Sequence, residues 1–219
     1  MTQVKLLTDA IDDFIKGCKA DGNWDQIKAC CIMAAWDGLN GALVPIKGPA
    51  PTNVNFVSDD YDRVTGLKGD GSTKYLNSNR ANDDDPQNSN HNAVYASFVG
   101  TFPFMSAESG NVDGSNQLGS GLVRNRTASS FSYTSPDEGL IGHSRNTSQS
   151  YVFRKDSNNI ILSESSQSPT SNTLMLYTND ATNFANHRLS FYSIGESIDL
   201  SALDTRVTNL MTAIDGAIA

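Results

Sequence analysis

What this chain has little of narrows its function before any motif is read. Only 18% of its 219 residues are charged, and the net charge is −8, so a phosphate backbone would be repelled rather than gathered. Nucleic acid is not an expected partner. Long apolar runs are missing too, and no stretch is apolar enough to span a bilayer. The opening MTQVKLLTDAIDDFIKG is amphipathic and acidic, unlike the basic-then-apolar pattern of a secretion signal. Synthesis in a cytosol, without export by the general route, is the expectation. The three cysteines, Cys18, Cys30 and Cys31, have no C-x-x-C spacing and no nearby histidines. They read as small apolar side chains in a reducing compartment.

Glutamate is rarer than the net charge suggests. The four are Glu108, Glu138, Glu164 and Glu196, and none has a carboxylate two residues away. Glycoside hydrolysis needs two carboxyl groups facing one cleft, so this chain offers no obvious pair. Its three histidines, His91, His143 and His187, are not framed by G-x-S-x-G or a cysteine signature. No enzyme activity and no catalytic residue are expected. The run TGLKGDGSTKYLNSNR (65–80) suggests a phosphate loop, but G-x-x-x-x-G-K-[ST] is absent and no helical apolar period follows. Gly69, Gly71 and Ser72 read instead as a tight turn, with Tyr75 and Leu76 entering a strand and Lys74 facing outward.

Serine, asparagine, threonine and glycine are abundant, and these residues build turns. In RANDDDPQNSNHN, Asp83, Asp84, Asp85, Asn88 and Asn90 share a loop rich in oxygen donors, and calcium takes six to eight oxygens. Asp83, Asp84, Asp85 and Asn88 are therefore the candidate calcium ligands, and no other cofactor is expected. For a glycan, Tyr95, Tyr133, Tyr151, Tyr177 and Tyr192 could stack on sugar faces while asparagines bond the hydroxyls. The alternative is that each tyrosine lines the core.

Three regions follow one another. In 1–46, Val4, Leu7, Ile11, Phe14, Ile15 and Cys18 make a helical stripe. Asn23 is placed to cap a second helix carrying Trp24, Ile27, Cys30, Cys31 and Ala34 inward. The prolines at 45, 49 and 51 then stop helix. Over 47–198, eight to ten short strands separated by turn signals predict a β-sandwich or jelly roll. They include 92–102, with Val94, Ala96 and Phe98 on one side. Another is 188–194, with Leu189 and Phe191 opposing Tyr192 and Ile194. Over 199–219, Ser201 and Asp204 resemble a capping box, and Leu203, Val207, Leu210, Met211, Ile214 and Ile218 form a stripe. That helix must pack on the sandwich, on the N-terminal helices or on another subunit.

The order G-D-G-S-x-x-Y-L, a long alternating strand, and R-L-x-F-Y-S-I-G-E before a helix resembles laminin-G-like or concanavalin-like jelly rolls. The resemblance covers about 53–196 and speaks to fold; in that family, loop aspartates often hold calcium. The run GCKADGNWDQIKACCIMAAWDGLNGALVPIKGPAPTN, continuing through FVSDDYDRVTGLKGDGSTKYLNSNRANDDDPQNSNH to RLSFYSIGESIDL and LDTRVTNLMTAI, resembles structural proteins of tailed bacteriophages. That resemblance implies a virion component, made in the host cytoplasm, with other virion proteins as partners. A homo-oligomer, a trimer by analogy with fibres, is expected because two helical stripes exceed what one sandwich needs. The function implied is a tail-fibre-type adhesin presenting a lectin-like sandwich to host surface glycans. A capsid decoration or cement protein without sugar binding is the second expectation, and a glycan-degrading enzyme a distant third.

Overall fold

The computed structural model describes residues 2–101, 103–108 and 113–218. The chain begins with helix α1 (Gln3–Ala20), whose first turn is capped by Thr2. Its apolar side is Leu7, Ala10, Phe14 and Cys18, while Lys5–Asp9 and Lys16–Asp12 pairs cover the wet side. Strand β1 (Ile27–Ile32) and the single turn α2 (Leu39–Ala42) follow. Then come β2 (Thr52–Val54), β3 (Tyr61–Asp62), β4 (Gly66–Lys68), β5 (Tyr75–Ala81) and β6 (Asn90–Phe98). The next strands are β7 (Pro103–Ser106), β8 (Asn116–Gly119), β9 (Leu122–Asn125), β10 (Phe131–Ser132) and β11 (Gly139–Arg145). The chain continues with β12 (Tyr151–Lys155), β13 (Asn158–Leu162), β14 (Thr173–Leu176) and β15 (Arg188–Gly195), and ends in helix α3 (Leu200–Ile218).

These strands form two antiparallel sheets packed as a sandwich. The first runs β13-β12-β11-β6-β15-β4-β3, with β1 also paired to β15. The second runs β10-β9-β8-β7-β14-β5-β2. Between them lies the main core, which includes Val94, Leu118, Val123, Ile141, Phe153, Leu176, Tyr192 and Ile194. A second core lies on the outer side of the first sheet. There Phe14, Leu203, Val207 and Ile214 of the two long helices meet Ile27, Cys30, Ile32, Ala93, Leu140 and Phe191. The molecule is thus three layers: helix pair, first sheet, second sheet. Gln3 Nε2 donates to the carbonyl of Ala217 at 3.1 Å, so the two ends of the described chain meet.

The second N-terminal helix expected from sequence is strand β1. Both its faces are buried: Cys31 faces the inter-sheet core and Cys30 the helix layer. A strand apolar on both faces shows no period-2 signature, and its spacing mimicked a helical stripe. Asn23 caps nothing; its side-chain amide exchanges two hydrogen bonds with the backbone of Asp199, each 3.0 Å. Asp199 in turn begins α3, accepting the N–H groups of Ser201 and Ala202 at 2.8 and 3.2 Å. The box expected from Ser201 and Asp204 therefore does not form.

In β15 the register shifts against β6 between Leu189 and Phe191. This bulge puts Leu189 on the same side as Tyr192 and Ile194, while Phe191 turns to the helices. Val94 and Ala96 enter the core as expected. Phe98 is 42% exposed at the strand end, where the Lys68 ammonium sits 5.5 Å from its ring centroid. Most of both helical stripes is covered within the chain, α3 packing on α1 and on β11, while Val4 at the start of the α1 stripe stays 72% exposed.

Candidate functional site

The G-D-G-S segment is a turn held by one carboxylate. Asp70 Oδ1 accepts the N–H groups of Ser72, Thr73 and Lys74 at 2.9, 2.8 and 3.1 Å. Partial burial works against its charge, but these bonds outweigh it and hold the carboxyl well below the usual range. Gly71 supplies the positive φ, +73°. Lys74 is not a free outward cation. It is mostly buried and pairs with Asp60 at 2.6 Å, just before β5 begins.

The four proposed calcium ligands are put to separate uses. Asp84 accepts the Ala81 N–H at 2.8 Å. Asp85 is buried against Arg80 at 2.9 Å; burial raises its pKa while Arg80 opposes the rise. Asn88 accepts from Ser166 at 2.6 Å, and Asp83 is exposed. Asn90 is buried inside the sandwich, accepting from Asn116 at 3.3 Å. Among the described residues, no group of three or more His, Cys, Asp or Glu is placed to hold a metal ion.

The histidines are buried. His91 contacts Ser193 Oγ through Nε2 at 2.7 Å and the Glu196 carbonyl through Nδ1 at 2.5 Å. The carbonyl can only accept, so Nδ1 carries the proton and Ser193 donates to Nε2. A serine and an imidazole in this relation resemble an activated nucleophile, but both residues have no exposed surface. Arg145 Nε donates to Asn125 Oδ1 at 3.1 Å, which leaves Asn125 Nδ2 to donate to His143 Nδ1 at 2.7 Å. The proton of His143 is therefore on Nε2. His187 stacks on Phe104, centroids 3.9 Å apart. Of the glutamates, Glu108 reaches Arg124, Glu164 accepts from Ser129, and Glu196 pairs with Lys28.

Tyr151, Tyr177 and Tyr192 are core residues, and Tyr95 is half-buried against the helix layer. None of these four presents a stacking face. Tyr133 packs on Phe153 at 4.6 Å between centroids and donates to the Gly119 carbonyl. That carbonyl borders a hollow which no sequence motif marked.

The hollow measures about 360 Å³ and is lined by Pro103, Gln117, Gly119, Ser120, Gly121, Leu122 and Asn179. Gln117 alternates in β8 with Leu118, a core residue, so it projects from the outer side of the second sheet, away from the helices. Gln117 is only 8% exposed. Its amide has no hydrogen bond to any described residue and opens to the hollow. Asn179 Oδ1 is buried and equally without a partner among the described residues. Asn179 Oδ1 is thus a buried unbonded acceptor beside the hollow, while Gln117 presents a solvent-reachable amide at its wall. Sequence could not place them together, because β8 and the segment after β14 are about sixty residues apart.

No protein-family model and no curated protein sequence matches the chain. Solved structures do. The chain is similar to the botulinum neurotoxin serotype D binding domain at 12% identity and TM-score 0.51, covering 84% of this chain and 51% of that one. The receptor binding domain of botulinum neurotoxin C/D mosaic serotype matches at 12% identity and TM-score 0.53, with the same coverage. A Trypanosoma rangeli sialidase mutant displaying trans-sialidase activity matches at 10% identity and TM-score 0.53, covering 97% of this chain and 38% of that one. The likeness is one of fold. At these identities it shows a two-sheet β-sandwich, and the chain spans about half or less of each neighbour's length.

Proposed function

We propose that this sandwich is a binding module whose outer hollow takes a hydroxyl-rich ligand, a host surface glycan. The observation that carries the reading is one uncharged concavity lined by the polar side chains of Gln117, Ser120 and Asn179. Amides both donate and accept, as sugar hydroxyls do. The scaffold is a familiar one for recognition: similar structures are described as a neurotoxin binding domain in complex with rat synaptotagmin II and a sialidase in complex with sialic acid. We place the module on a bacteriophage virion, as a tail-fibre-type adhesin with jelly-roll winding. That finer assignment rests on the sequence resemblance alone. The helix layer would dock to other virion proteins and the hollow would face outward.

A second reading has its own observation. Val4 is 72% exposed on α1 beside a shallow hollow lined by Leu7, Ile11, Ala35 and Trp36, an apolar patch suited to a capsid decoration protein bracing its neighbours without binding sugar. A glycan array run on the purified chain, with calcium and then with chelator, separates the two. Saturable binding to a glycan class supports the adhesin. No binding on the whole array sinks it and leaves decoration.

A further inference from the structure

Resting on the hollow as a glycan site, we propose that its ligand is uncharged: a neutral sugar, not a sialylated or uronic one. A carboxylate on a sugar is recognised by a cation or a set of N–H donors aimed at it. The lining holds no lysine, arginine or histidine. The nearest cation along the sheet is Arg124, the cross-strand neighbour of Gln117, and it is already committed. Its Nη1 donates to Glu108 at 3.4 Å and to Ser115 at 3.1 Å, and Nη2 donates to Ser130 at 2.5 Å. Its unpartnered Nε is sealed from solvent, and Arg124 does not line the hollow.

Asp180, next along the chain from Asn179, is half-buried, and the hydroxyl and N–H of Thr182 hold its carboxyl below the usual range. An incoming anion would find no compensating cation in the lining. A neutral hydroxyl pair, by contrast, can bond the Gln117 amide and the Ser120 hydroxyl while its ring carbons rest on Pro103 and Leu122. The recognition is thus by hydrogen bonding and shape.

The test is direct binding of neutral, sialylated and uronate-containing oligosaccharides to the full chain by calorimetry, at low and high salt. Neutral glycans should bind, with affinity changing by less than about twofold between about 0.05 M and about 0.5 M NaCl, since no ion pair is there to be screened. Gln117→Leu removes the amide while leaving an apolar side chain in its place, and should weaken that binding about tenfold or more. Binding confined to acidic glycans and falling steeply with salt overturns this inference while the glycan reading stands. No glycan binding by the wild-type chain overturns the reading itself. Neutral binding untouched by both Gln117→Leu and Asn179→Leu places the site elsewhere and overturns the inference.

Discussion

Single buried residues set how this molecule answers to pH. Burial lowers the pKa of His91 to about 4 and of His143 to about 3, against an ordinary value near 6.5. As pH falls past about 6.5 the unfolded chain takes up these two protons, and the folded chain does not until far lower. The stability they contribute is therefore complete above that value and is lost on the way down, to about pH 4 for His91 and about pH 3 for His143. Between about pH 7 and about pH 5 the loss should be on the order of 3 kcal/mol for the two together. Urea unfolding at the two pH values reads it directly, and a midpoint that does not move would refute the assignment. The acidic loop gives an opposite kind of expectation. With Asp84 and Asp85 already bonded within the fold, chelator should leave the thermal midpoint within about 1 °C of its value in calcium, a shift worth only tenths of a kcal/mol. A larger drop would reinstate Asp83, Asp84, Asp85 and Asn88 as ligands.

At the scale of elements, the helix layer is tied to the sandwich by a buried ion pair as well as by apolar contact. Arg154 of β12 meets Asp204 of α3 at 2.7 Å, and Arg154 also bonds Asn159 at 2.8 Å. Removing one partner strands the other charge, so Asp204→Ala should cost about 3 kcal/mol or more. Adding Arg154→Met should return part of that loss in a double-mutant cycle followed by urea unfolding. Elements also show what could be read in advance. The α1 and α3 stripes, and most strands from β5 onward, announced themselves through 3.6- and 2-residue periods. Strand β1 did not, because a strand buried on both faces has no alternation to show. Strands β8 and β9 show no clear alternation because their inward positions include Asn116 and Asn125, polar residues buried inside the sandwich. Gln117 shares that camouflage, and its position over a hollow depends on the pairing of β8 with β7 and β9, which no local pattern encodes.

For the whole molecule, the three-layer arrangement spends most of its apolar stripes internally, and light scattering should return a mass near 23.6 kDa. A concentration-independent trimer would instead make the apolar patch around Val4 the first candidate interface.

The hydrogen bond between Gln3 and Ala217 has one more consequence. A chain whose first and last helices touch can be closed into a ring by a short flexible link and reopened elsewhere. The turn between β12 and β13 is the natural place to cut. Asp156 and Ser157 both hold positive φ there, 48° and 57°, a conformation that non-glycine residues adopt at some cost. A circular permutant beginning at Ser157 should keep the layered fold and ligand affinity, because the new ends leave the outer hollow untouched. The order in which the chain is threaded would then be a historical accident of this architecture rather than a requirement of it.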